Sequence, residues 1–366
     1  MLFKRQVLRS ANSFFSIEIY MSEDKANKAL EAKLDKRRLI KPVVISLLGS
    51  IALLAGVAWN ADWKLLKASL SSVSPLWLAR AAVCLAILQF VNGIRLALLV
   101  SDKKKSALSV LAPSIEVSFL CQALIRVLPF RLGDLAFFVI ANRKLNTSFE
   151  KNLGLFFRIK LWDLRVVATS FLICGGWVVA MEYASLKPYV VGAALLSCVL
   201  FMLSPVRILY PITKLVGVLA LLPGLGGFRH FSELLERSIS SLKEEKHSLS
   251  EWILMLLTSA GWCIYYGTMY CLMQGLGMSI DLILAIAVAS GMILISIVPI
   301  QTIGGFGLTE IGQSSLYLLG GLSTAEATSR SLAVSVLFLG LCLGVPALFW
   351  FFFTTGRIVT GWSKKK

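Results

Sequence analysis

Between residues 42 and 353 the chain is a succession of apolar runs, each about twenty residues long and without polar alternation, the length a helix needs to cross a bilayer. A membrane β-barrel would show alternating segments of about ten residues instead. The chain therefore reads as all-α and polytopic. Composition agrees, because 57% hydrophobic and 16% charged residues with a mean hydropathy of +0.77 leave no ordinary soluble surface. The net charge of +17 would suggest nucleic acid if it were gathered on one face. Its basic residues stand instead in short clusters beside the apolar runs: KLDKRRLIK before the first, DKKK after the second and GRIVTGWSKKK at the end. That placement marks cytoplasmic loops and favours anionic lipid surfaces, so no nucleic-acid partner is expected.

The same clusters set a topology. Spans are expected at 42–59, 76–100, 155–181, 189–209, 252–273 and 332–353, with both termini cytoplasmic. Two regions resist this scheme. Residues 107–141 have basic clusters at both ends and are interrupted by RVLPFRLGD; residues 280–322 have outer ends and contain VPIQTIGGFGLTE. Glycine and proline weaken a helix ladder, and an ionised Glu in hydrocarbon costs about 3 kcal/mol. Non-helical backbone survives at that depth only where protein buries it or a watery cavity solvates it. The expected architecture is about six full spans plus two re-entrant, Gly/Pro-interrupted hairpins, the first with its tip near residues 129–133. One enters from inside and the other from outside, an inverted-repeat arrangement that points to a midplane binding site.

Residues 1–36 are expected to form a cytoplasmic extension, with translation starting at Met1 or Met21, and residues 37–366 a single transmembrane domain. The first twenty residues lack the apolar core of a signal peptide. The polar stretch 210–250 should lie in the cytoplasm and hold an amphipathic helix with Phe231, Leu234, Leu235, Ile239 and Leu242 on one face.

Several residues at the interruptions suit a polar headgroup. Backbone at Gly304, Gly305 and Gly307 lets a ligand approach exposed N–H groups, which fits phosphate oxygens. Arg126 and Arg131 add charge-assisted bonds. Asp134 and Glu310 would bind an amine, pair with those arginines or carry a proton. Lys160 and Asp163, at i and i+3, share a helix face and can pair there. Nearby Arg158 and Arg165 either anchor the interface together with Trp162 or belong to the site, and Arg95 reads as a snorkelling interfacial arginine. The seven cysteines, Cys84, Cys121, Cys174, Cys198, Cys263, Cys271 and Cys342, form no CxxC pair and read as buried, inert thiols. His230 and His247 share one polar loop, so neither a metal site nor a cofactor is expected.

LPFRLGD, the K-x-x-D pair at Lys160 and Asp163, and PIQTIGGFGLTE together resemble the lysylphosphatidylglycerol synthase transmembrane-region family of flippase-like proteins. The resemblance runs from about Arg37 to the C-terminus, and P-x-x-x-GG-x-G-x-x-E is its specific part. It implies movement of polar lipids between leaflets: aminoacylated phosphatidylglycerol, hopanoid-type lipids or lipid-linked saccharides. The chain departs from the family pattern at Thr309, where an arginine usually precedes the acid, at Asp134, where Glu is usual, and at Lys160, where Arg is common. No soluble acyltransferase-like domain follows, so synthase chemistry is not expected. The expected function is flippase-like transport of a polar or anionic lipid, or of a lipid-linked precursor, in the bacterial inner membrane. The alternatives are a membrane-embedded lipid glycosyltransferase, which would need more outer-loop acids than Asp62, and an accessory scaffold of envelope biosynthesis. Partners would be membrane lipids, with a homodimer or envelope-biosynthesis proteins as further associations.

Overall fold

The computed structural model describes residues 55–101 apart from 57 and 60, 106–127, 132–202 apart from 146, 148, 184 and 186, 248–296 and 307–359, all inside the compact unit Gly49–Lys366. Arg131, Gly304, Gly305, both histidines, the first twenty residues and the amphipathic 231–242 stretch lie outside the described residues, as does most of the expected first span.

All the regular elements described are helical. A short helix α1 (Trp63–Ser71) precedes α2 (Pro75–Val100), α3 (Ala107–Val127) and α4 (Leu132–Leu145). Helix α5 (Phe149–Ser170) continues through a π turn (Phe171–Gly175) into α6 (Gly176–Glu182), followed by α7 (Lys187–Met202) and α8 (Ser248–Gly275). Then come α9 (Leu282–Ser296), α10 (Leu308–Leu319) and α11 (Thr324–Val359). Among the described residues four stretches are long and apolar enough to cross a membrane: Pro75–Val100, Ala107–Arg126, Lys151–Met181 and Thr324–Phe352. The protein is an all-α, polytopic membrane protein.

Helix directions follow from side-chain pairs. Ser118 donates to Gln89 and Ile115 abuts Gly93, so α2 and α3 are antiparallel. The Lys144–Glu116 pair folds α4 back along α3, and Lys160–Asp134 folds α5 back along α4. Contacts of Arg158 with Glu251 and of Asp163 with Trp262 set α8 parallel to α5. In the second hairpin Gly320 lies beside Leu284 and Gly312 beside Ile295, so α9 and α10 are antiparallel. The π turn and α6 lie beside α9 in reverse order, with Phe171 against Gly291 and Val178 and Val179 near Leu284. Thus α3 shares the direction of α5, whereas α9 opposes it, and the two hairpins start in opposite senses. They are not equal in length. Helix α3 is long enough to cross alone, while α9 and α10, with 15 and 12 residues, reach only about 22 and 18 Å of the roughly 30 Å core.

Small residues let these helices approach. Helix α9 buries Ala285, Ala287, Ala289, Ser290 and Gly291, and α2 meets α3 at Gly93, the close packing on which membrane helix association relies. The expected outer loop is itself helical. The Asp62 carboxylate accepts the Lys64 and Leu65 N–H groups at 2.9 and 3.1 Å to cap α1, and its backbone bonds Ser329 at the start of α11.

Candidate functional site

Helix α11, expected only as a span, collects the site. It packs against α3 of the first hairpin and against α10 of the second. Arg126, in the last turn of α3, lays its guanidinium 4.6 Å from the centre of the Phe338 ring, beside the Tyr265 hydroxyl and the Cys342 thiol. Its Nε has no hydrogen-bond partner, and no carboxylate among the described residues pairs with it. Ser335, one turn from Phe338, lies beside Glu310 of α10. A cation from one hairpin and an anion from the other therefore meet the same stretch of α11.

Glu310 is 1% exposed. Its Oε2 accepts the Gly307 N–H and, at 3.1 Å, the Thr309 hydroxyl, while Oε1 has no partner. The Gly307 bond is half of a capping box, an acid at the third helical position reaching back to the cap N–H. Gly307 has φ +99, a conformation that would cost a side-chain-bearing residue about 1–3 kcal/mol, so the glycine is needed for the turn that starts α10.

Several other candidates pair elsewhere. Asp134 pairs with Lys160 at 3.2 Å, tying the interruption of the first hairpin to α5. The Lys160–Asp163 pair does not form. Asp163 instead accepts from Arg95 at 2.8 Å and from the Trp262 indole at 3.1 Å, because its side of α5 faces α2 and α8. Arg95, 4% exposed, is thus a buried structural cation and does not snorkel. Trp162, Arg158 and Arg165 are also buried within the protein: Arg158 binds Glu251, and Arg165, whose guanidinium nitrogens have no hydrogen-bond partner, sits 4.9 Å from the Trp162 ring centre. Not every cysteine is buried, since Cys263 is exposed on α8.

The profile of the lysylphosphatidylglycerol synthase TM region matches residues 43–354. The chain belongs to this family. Neither the curated proteins nor the solved structures contain a match. The match takes in both hairpins and most of α11.

Within this family member several buried polar groups carried no motif in the sequence. Glu116 of α3 is buried against Lys144, and Gln89 of α2 accepts from Ser118 at 2.9 Å. Gln313 and Tyr317 of α10 and Ser331 of α11 are all fully buried. Polar residues inside apolar helices were the available signal for each. A cavity of about 350 Å³, lined by Phe171, Gly175, Gly176, Val190, Ala287 and Leu316 among others, opens at the π turn. Its wall is apolar, and α10 connects it to Glu310.

Proposed function

We propose that this protein moves a polar or anionic lipid, or a lipid-linked precursor, between the leaflets of the bacterial inner membrane. The observation that carries this reading is the meeting of Arg126 and Glu310, charges of opposite sign on two oppositely directed hairpins, at one stretch of α11. Unpaired charge within a bundle marks a path for polar cargo. Arg126 takes the phosphate of the headgroup; Arg131 follows it closely in sequence, and Gly304 and Gly305 stand shortly before Glu310 on the other hairpin. Glu310 takes an amine or a proton. The apolar cavity beside α10 accepts an acyl chain while the headgroup crosses. Lys160–Asp134 and Arg95–Asp163 brace this path.

A glycosyltransferase would need outer acids free to hold a metal and sugar donor; Asp62 spends its carboxylate on capping α1. The test is leaflet transfer of fluorescent phospholipids, scanned by headgroup, in vesicles containing the purified protein. Glu310→Gln and Arg126→Gln should each abolish transfer while the protein remains folded. Transfer at the wild-type rate in both would sink the assignment.

A further inference from the structure

Facing helices α10 and α11 carry a row of buried polar groups. Glu310, Gln313 and Tyr317 repeat at i, i+3 and i+7 along one face of α10. Ser335 lies beside Glu310, and Ser331, one turn earlier on α11, shares its helix face. Gln313, Tyr317 and Ser331 are wholly inaccessible and Glu310 is 1% exposed. The Gln313 amide donates to the Tyr317 hydroxyl at 3.3 Å. Three oxygens in this row lack partners: Glu310 Oε1, Gln313 Oε1 and Ser331 Oγ.

Among the described residues no built-in charge balances the carboxylate. Helix α9 carries no ionisable group, and α10 carries only Glu310 and Tyr317. On α11, Glu326 and Arg330 pair with each other, Arg330 also donating to the Leu276 carbonyl; Cys342 is turned to Gln122, and Arg357 lies more than five helical turns from Ser335. Arg126, which reaches α11 at Phe338, makes no ion pair with Glu310. An isolated buried carboxylate is so unfavourable that the group recruits a positive charge or takes a proton. Unmet carboxylate, amide and hydroxyl oxygens are the donor set of a small hard cation.

We infer that this row is a monovalent-cation site, filled by H⁺ or Na⁺ at Glu310, whose loading and unloading couples an ion gradient to transport. The coupling rests on the lipid-translocation reading, whereas the binding does not.

The test uses the full-length protein in nanodiscs. If the cation is Na⁺, its melting temperature rises in NaCl relative to choline chloride; Glu310→Gln abolishes the rise and Ser331→Ala weakens apparent Na⁺ affinity about tenfold. If it is H⁺, Na⁺ has no effect, and infrared spectra at neutral pH show a protonated-carboxyl C=O band that is lost in Glu310→Gln. Gln keeps an acceptor for the Gly307 N–H, and Ser331→Ala gives an independent readout of the Na⁺ arm. An ionised Glu310 with no Na⁺ response would overturn the site. Cation binding together with lipid transfer that ignores both gradients would overturn the coupling. Cation binding without any lipid transfer would keep the site and reject translocation.

Discussion

Asp163 shows how a buried charge finds its partner. Its spacing from Lys160 places the two on one helix face, but the partner it takes is Arg95, 68 residues away in sequence. A guanidinium at 2.8 Å and an indole N–H at 3.1 Å, both fixed by packed helices, outweigh a flexible lysine that bonds Asp134 instead. Arg95→Leu should therefore strand a largely buried carboxylate and lower stability by about 3 kcal/mol. Arg95→Leu with Asp163→Leu should recover most of that loss, because the second change removes the stranded charge. Thermal unfolding in detergent of the two single variants and the double variant checks this; equal loss in Arg95→Leu and the double variant would argue against the pair. Glu310 and Arg126 were legible in the sequence because charge is conspicuous beside Gly and Pro in an apolar run. Glu116, Gln313 and Ser331 were not, since a lone polar residue in a span says nothing about which way it faces.

At the level of elements, the interrupted hairpins were readable and their packing was not. Glycine and proline announced that residues 280–322 could not be one helix, and α9 and α10 are correspondingly short. Nothing comparable announced α11 as the element where both hairpins converge, because that depends on tertiary contacts made by an unremarkable apolar helix. The glycine with the most demanding contact is Gly93. A Cβ there would stand 2.7 Å from the Ile115 Cα and 3.0 Å from its backbone N, so relief requires separating α2 from α3. Gly93→Ala should destabilise the protein by about 1–3 kcal/mol and weaken the Gln89–Ser118 bond one turn away. A lower melting temperature, with Gly267→Ala unchanged as a control in open space, is the expected result.

For the whole molecule, the opposed hairpins make a definite statement about sidedness. If α3 and α4 enter and return, Ser106 and Asn142, both exposed at their far ends, face the same compartment. If α9 and α10 do likewise, Ser279 and Ser323, also exposed, face the other. The positive-inside rule assigns the first pair to the cytoplasm, beside DKKK and NRK, and the second to the outside. Single cysteines at these four positions, in a background with the exposed Cys263 replaced, can be probed with a membrane-impermeant maleimide on intact and permeabilised spheroplasts. Cysteines at 279 and 323 should label in both, and those at 106 and 142 only after permeabilisation. Labelling of 106 and 142 from different sides would mean that the first hairpin crosses completely. Arg126 and Glu310 would then no longer belong to two re-entrant arms reaching α11 from opposite faces, and the shared headgroup path would lose its geometric basis.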